Sequence, residues 1–598
     1  MFHALAATGC HSIAMLLPSE TPHDASLILI EGGLTTIAVA ASFAWPRLCS
    51  SWFAHIERAF TRLARRRKLA VIASGLSAPL LRLTLLPLFP IPLPFVPDDF
   101  SFLLAADTFV HGRLANPAPA LWPFFESIQL TVHPTYQSMY FPLHGLVLAA
   151  GQVLFGNPWF AILAVDALFC AALCWMLQAW LPPTWALLGA LIAVVRIGLF
   201  SYWIDTIAGG SGMLAALGGA LVLGALPRLT RTARMRYGVL MAVGIAILGL
   251  TRPYEGVLLC LPVAVALGRW IWKGKNRPSS ATLVRRAALP LAIVVAAVAW
   301  LGYYDFRAFG KATTLPYTVD RAEYAMAPYY IWQSPRPQPH YRDDALRQFY
   351  VNNEFKAYQE IHSWSGYLPM TFLKIVRGVF FFAGFALIPP LVMCRRVLRD
   401  RRVRFLVVCM CVLMAGMAIE IFLIPHYLAV FTAVFYALGL QATRHLYAWA
   451  PNRAPVGKTM VRLTIALCVV LGGIRSFAGP LHLQVNEWPA SGWSGSWIGP
   501  EHFGLERAQM QTKLDGLPGR QLVLVRYLPG HEPIDEWVYN LSDIEDSKVV
   551  WARDMGAADN LELLHYYPHR KAWLVEPDTA PATLVPYPMP KQSSPGSH

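Results

Sequence analysis

The chain has 598 residues, 56% of them hydrophobic and only 14% charged, which is too apolar for a soluble protein of several domains. Its formal charge of +15 would suit a nucleic-acid binder, but residues 480–598 carry 9 Lys/Arg against 15 Asp/Glu, so the excess lies upstream, in short loops between apolar runs. That distribution follows the positive-inside rule of membrane proteins and excludes a groove for phosphodiesters.

The first twenty residues contain no basic segment, so no cleaved signal peptide is expected. Apolar runs then predict about twelve spans, near 26–46, 69–90, 158–181, 185–200, 211–227, 237–251, 255–272, 287–304, 373–394, 404–424, 427–444 and 460–478. Between the first two, residues 50–68 predict an amphipathic cytoplasmic helix, with Trp52, Phe53, Ile56, Phe60 and Leu63 opposite a basic face. Basic clusters recur in alternate loops: residues 47–68, Arg228 to Arg236, Lys273 to Arg286, and Arg395 to Arg404. Those loops belong on the cytoplasmic side. Residues 91–157, 201–210, 251–254, 303–372 and everything after 479 then lie outside, as do both chain ends. The nine cysteines show neither a disulfide framework nor a metal-type spacing.

Past residue 479 the chain changes character. Leu522–Val525, Val549–Trp551 and Trp573–Val575 read as strands, and segments around 533–546 and 556–567 read as helices. The expected fold class is a polytopic α-helical membrane protein of about twelve transmembrane helices, with a small C-terminal α/β domain outside the membrane. Its parts are an N-terminal extra span with the basic helix (1–68), a transmembrane core with outside loops 91–157 and 303–372 (69–479), the α/β domain (480–578) and a Pro/Ser-rich tail expected to be disordered (579–598).

The chemistry-bearing residues gather at the outer border. Asp98 and Asp99 follow Pro90, Pro92, Pro94 and Pro97, and two adjacent carboxylates at a membrane border are costly unless they face water, a cation or a reacting group. One of them can cap a helix starting there. Alternatively, one takes a proton from an acceptor hydroxyl while the other orients it, raises its pKa or helps hold a metal. Farther along the same loop come Gly112-Arg113, Glu126, His133, Tyr136, Tyr140-Phe141-Pro142 and His144. The second outside loop holds ten of the 23 tyrosines, plus Trp332 and Trp364, residues that suit either sugar stacking or a membrane interface. In the C-terminal domain, His531-Glu532 and Asp535-Glu536 match no metal signature and read as a solvated turn and helix start.

The order of these elements resembles the GT-C class of membrane glycosyltransferases. It is most similar to the branch containing protein O-mannosyltransferases and lipid A aminoarabinose transferases, a bacterial family 39-like pattern. The resemblance rests on Asp98-Asp99, Ala105-Ala106, Gly112-Arg113, Tyr140-Phe141-Pro142, Phe155-Gly156 and the late Pro425-His426-Tyr427, and covers about residues 69–444. The chain departs from the pattern in having Asp at 99 where many relatives have Glu, an extra N-terminal span, and no Lys or Arg between 127 and 145. A donor phosphate must then find its cation elsewhere. Arg252 can serve bidentately, or can simply pair with Glu255 or snorkel. His426 with Tyr427 and Arg82 are the other candidates, and Asp205 stands near the same border.

The resemblance implies an enzyme that moves a sugar from a polyprenyl-phosphate donor to an extracytoplasmic acceptor, whether glycolipid, polysaccharide or protein, with inversion. Asp98 would be the base and Asp99 its assistant, and Arg252, His426, Tyr427 and Arg82 would hold the donor phosphate. Arg113, Glu126, His133, Tyr136, Tyr140, His144, Asp205 and Trp332 would contact substrate. No cofactor is expected, and a divalent metal at Asp98/Asp99 is allowed but not favoured. The expected partners are the bilayer, the lipid-linked donor and an envelope acceptor, with no nucleic acid, at the bacterial inner (cytoplasmic) membrane. The rival readings are a lipid or sugar transporter or flippase, which would favour mid-membrane charges such as Glu31, Arg196 and Glu420, and a polysaccharide polymerase or ligase.

Overall fold

The computed structural model of the protein describes residues 22–274, 277–422, 425–477, 481 and 504–588. The chain ends, with the expected side of each and the tail from 589 onward, lie outside the described residues.

Helices α1 (Pro22–Ala44), α2 (Ser50–Arg65) and α3 (Arg67–Thr84) open the fold. The amphipathic helix α2 leaves Trp52 and Ile56 exposed, while Glu57 is held by Arg462 through two bonds of 2.8 Å. The apolar run expected to continue to 90 stops being helical at Thr84. Arg82, 1% exposed, folds the next segment back by donating to the carbonyls of Phe89 at 2.6 Å and Pro90 at 3.3 Å. The prolines that follow cannot resume a helix until α4 (Pro97–Val110). A small antiparallel sheet of β1 (Asn116–Pro117), β2 (Leu130–Thr131) and β3 (Thr135–Ser138), in the order β1-β3-β2, then leads into α5 (Pro142–Phe155).

The bundle continues through α6 (Trp159–Trp180), α7 (Pro183–Ala193), α8 (Gly210–Thr232), α9 (Met235–Gly249), α10 (Pro253–Lys273) and α11 (Ser280–Phe309). Helix α12 (Pro316–Tyr324) lies in the long loop 303–372, and α13 (Trp364–Ala383), α14 (Arg404–Ile419), α15 (Thr432–Tyr447) and α16 (Val456–Ser476) complete the core. Helix α8 runs through its centre, packed on α6 and α9. A Cβ at Gly244 of α9 would lie 2.7 Å from the Gly218 carbonyl of α8, so these glycines set the close crossing.

Among the described residues, six helices (α6, α8, α10, α11, α13 and α16) are long and apolar enough to cross a membrane. A seventh is counted if Pro389–Arg399 and α14, bent by 110°, form one broken span. Helices α5, α7 and α9 are shorter, at 14, 11 and 15 residues. The expected span at 427–444 opens with a 3-10 turn, Pro425–Phe431, before α15.

The C-terminal region carries α17 (Leu505–Asp515), α18 (Ala557–Tyr566) and a four-stranded sheet of β4 (Arg520–Val525), β5 (Val549–Arg553), β6 (Arg570–Glu576) and β7 (Thr583–Pro586). The strand order is β5-β4-β6-β7, with β4 parallel to β5 and β6, and β7 antiparallel to β6. Two expectations are corrected here. Residues 533–546 form turns rather than a helix, because Glu536 and Asn540 spend their side chains on backbone groups, at the Val538 N–H (2.9 Å) and at the Trp551 N–H and carbonyl (2.9 and 2.8 Å). Residues 583–586, expected to belong to a disordered tail, instead form β7, where Leu584 and Val585 pair with Val575 and Leu574. One face of that sheet, with Leu522, Leu524 and Val550, shares a core with Phe100, Leu104, Phe125 and Tyr136 of the loop 91–157. The domain is thus packed onto the helix that carries the acidic pair.

Candidate active site

The first turn of α4 separates its two carboxylates. Pro97 at the first helical position suits the fixed φ of proline, and Asp99 two residues on turns back to cap the turn. Its Oδ2 accepts from the N–H groups of Phe95 (3.2 Å) and Val96 (3.5 Å), and its Oδ1 accepts from Ala208 N–H at 2.7 Å. Burial pushes its carboxyl up to about 7 against those bonds. Asp99 therefore ties α4 to the loop before α8.

Asp98, half-buried, points the other way, into a cavity of about 410 Å³. The Tyr140 hydroxyl donates to its Oδ1. The Tyr140 ring is fixed by stacking on Phe102 at 4.4 Å and by edge contact with Tyr317 at 5.5 Å. Burial raises the Asp98 carboxyl above its ordinary range, while Tyr140, Gln129 and the charge of Arg252 pull it back.

The same cavity has a cationic side. Tyr427 lines it, with the Arg252 guanidinium 4.7 Å from its ring centre and 4.0 Å from Glu255 Oε1. Lys374 and Arg377 of α13, three residues apart and so on one helix face, line it too. The Lys374 ammonium donates to carbonyls that close α14, those of Met417 at 3.1 Å and of Glu420. Arg377 has no hydrogen-bond or ion-pair partner among the described residues. Neither was singled out from sequence, because both sit in a run whose apolar character reads only as a span. Their three-residue spacing near one end of that run was the available signal.

The other sequence candidates divide into four groups. Arg82 and Asp205 pair with each other at 3.3 Å, and neither lines the cavity. The Arg82 guanidinium is engaged in holding the chain after α3. His144 gives Nε2 to the Ile207 carbonyl at 2.8 Å, packed edge-on to Phe102, and His426 stacks on Tyr202 at 6.0 Å outside the cavity lining.

Arg113, Glu126 and Tyr136 dock the C-terminal domain instead of facing the cavity. Arg113 donates to Ser542 Oγ at 2.8 Å, beside Asp107, which accepts from Ser542 N–H at 2.9 Å. Tyr136 donates to the Asn540 carbonyl at 2.8 Å, and the Glu126 carbonyl accepts two bonds from Arg553 at 2.8 and 3.0 Å. The Glu126 carboxylate binds Arg342 of the second loop at 3.2 Å. His133 and Trp332 are exposed, His133 6.1 Å from the Trp122 ring and Trp332 stacked on Tyr330 at 4.8 Å. The docked domain also reaches the site directly, through Ile534 in the cavity wall.

Among the described residues, no group of three or more His, Cys, Asp or Glu side chains could hold a metal ion. At this end of the cavity the Asp98 carboxylate, held by Tyr140, shares a wall with aromatic rings and the cations Lys374 and Arg377. The arrangement can accept a proton at its carboxylate while negative charge accumulates at its cations.

No protein-family model and no curated protein matches the chain. Among solved structures it is similar to ArnT from Cupriavidus metallidurans in the apo state, at 15% identity over 85% of this chain and 92% of that one, with a TM-score of 0.44. The same protein bound to undecaprenyl phosphate gives 14% identity, the same coverage of 85% and 92%, and a TM-score of 0.44. The Archaeoglobus fulgidus oligosaccharyltransferase tethered to an acceptor peptide gives 11% identity over 84% of this chain and 68% of that one, with a TM-score of 0.41.

Proposed function

We propose that this protein is an integral-membrane glycosyltransferase that passes a sugar from a polyprenyl-phosphate carrier to an acceptor outside the cytoplasmic membrane. The observation that carries this reading is the single cavity that joins the Tyr140-held Asp98 to Tyr427, Lys374 and Arg377 at the ends of apolar helices. In the reaction, Asp98 takes the proton from an acceptor hydroxyl. The freed oxygen forms a bond to the anomeric carbon, and the bond from that carbon to the phosphate oxygen breaks. The electron pair leaves with polyprenyl phosphate, whose charge is met by Lys374, Arg377 and Arg252. Phosphate is a good leaving group, so one base suffices and direct displacement inverts the anomeric centre. Asp99 acts through position, by fixing the first turn of α4. No metal takes part in this reading.

The test uses the purified protein and an Asp98→Asn variant with a panel of polyprenyl-phosphate sugars and a membrane extract as acceptor, reading free polyprenyl phosphate. The native protein releases it, and the variant loses about 10²–10⁴-fold in rate, the worth of a positioned general base. Equal release by both removes Asp98 as base, and no release by the folded native protein removes the reading.

A further inference from the structure

The cavity has a second polar end that the transfer chemistry leaves unused. Helix α12 and the following segment Gln348–Phe355 line it with Asp320, Arg321, Tyr350, Asn353 and Glu354. Two of these satisfy each other, since Arg321 donates to both oxygens of Glu354 at 2.7 and 2.8 Å. Asp320 is different. It is 1% exposed, and neither of its carboxylate oxygens accepts a hydrogen bond. The hydroxyl of its neighbour Tyr350, itself without another close partner, is the one side-chain donor that acts on this carboxyl, and its pull is the weakest of the influences there. Burial pushes the Asp320 carboxyl up to about 7, with the Arg321 charge acting against it. Asp305 is also buried without a partner, but it lies outside the cavity lining, whereas Asp320 borders a space large enough for a ligand.

A buried carboxylate with no donor beyond one weak contact is costly unless something else supplies more. The wall around Asp320 says what that is. Tyr317, Tyr329, Phe349 and Tyr350 present apolar ring surface, and Asn353 adds an amide that both donates and accepts. A carboxylate, an amide and aromatic rings together fit a sugar, whose hydroxyl or amino groups donate while its C–H faces lie on rings. The sugar and the lipid phosphate arrive as one molecule, so the cavity holding the base and the cations must also house the sugar.

We propose that Asp320, with Asn353 and Tyr350, forms the subsite that grips the transferred sugar, its carboxylate accepting hydrogen bonds from two hydroxyl or amino donors on the ring. This rests on the glycosyl-transfer reading and assigns that site its specificity-determining residue.

The experiment uses the full-length protein in nanodiscs. The probes are polyprenyl-phosphate mannose, glucose and galactose with their 2-amino and single-deoxy analogues, and release of polyprenyl phosphate is the readout. The native protein disfavours one deoxy analogue about ten- to hundredfold in kcat/KM, because that analogue leaves a buried acceptor unpaired. Asp320→Ala erases this discrimination and raises the KM of the parent donor, and Asp320→Asn falls between the two. If Asp320→Ala does not fold, Asn353→Ala carries the same expectation. Equal discrimination in the native protein and the variants, or a KM rise confined to the acceptor, overturns the subsite while the transfer reading stands. No release from any donor by the native protein overturns the transfer reading, and the subsite with it.

Discussion

Removing one hydroxyl tests whether Asp98 works as a base. Tyr140 donates its hydroxyl to Asp98 and keeps its ring stacked on Phe102, so Tyr140→Phe deletes a donor and little packing. A hydrogen bond to a charged group is worth about 1.5–3 kcal/mol, and 1.36 kcal/mol corresponds to one pKa unit. Its loss therefore raises the Asp98 carboxyl by about 1–2 units. Burial already lifts that carboxyl, and the Tyr140 bond is the largest of the influences that lower it again. The base must be ionised to accept a proton, so the rising limb of kcat/KM against pH moves alkaline by about 1–2 units. Below the native midpoint the variant loses about ten- to hundredfold, and above its own midpoint it regains the native plateau. The assay is polyprenyl phosphate release from about pH 5 to about pH 10, with Asp98→Asn as the background that has no such limb. A uniform loss at every pH, with the limb unmoved, would refute the reasoning and make Tyr140 a binding residue. A limb moved toward acid would refute it more directly.

The remaining predictions concern the cations and the cap. Arg377→Gln lowers kcat and raises the donor KM by about tenfold or more, as expected for one charge-assisted contact to phosphate, while Arg377→Lys restores part of both. A melting temperature held near the native value separates that effect from misfolding. For Asp99 the sign follows from its raised pKa of about 7. Between the ordinary carboxyl range and about 7 the folded state binds a proton that the unfolded chain does not, so stability falls as pH rises through that window. Melting curves from about pH 4 to about pH 8 read this slope, and Asp99→Asn flattens it. A slope of equal size in the variant would assign it to another group.

The sequence pointed to Asp98 and Tyr140 because their local context is informative: a helix start after a proline run, and an aromatic before a Pro-led helix. It could not tell the two acids apart. Their separation depends on Ala208, more than a hundred residues away, whose N–H claims Asp99 and leaves Asp98 to the cavity. The Arg82–Asp205 pair was hidden for the same reason, since each looks like an available charge until its partner 123 residues away is known. Lys374 and Arg377 were hidden by their surroundings, because hydropathy averaged over a span erases two cations at its end. Asp320 had no motif at all. What marks it is a missing hydrogen bond, which only a three-dimensional accounting can reveal.

The same logic explains the C-terminal domain. Its strands were visible as short apolar runs, but nothing in residues 504–588 alone says what they pack against. The joints are all long-range: Tyr136 to Asn540, Arg113 to Ser542, Arg553 to Glu126, and Phe100 stacked on Tyr539 at 4.4 Å. Two of these, Phe100 and Arg113, belong to α4 or its exit, so the domain grips the helix whose first turn presents Asp98. With Ile534 in the cavity wall, the domain completes the site as well as bracing it. A truncation before residue 504 should therefore lose the shape of the cavity along with the domain.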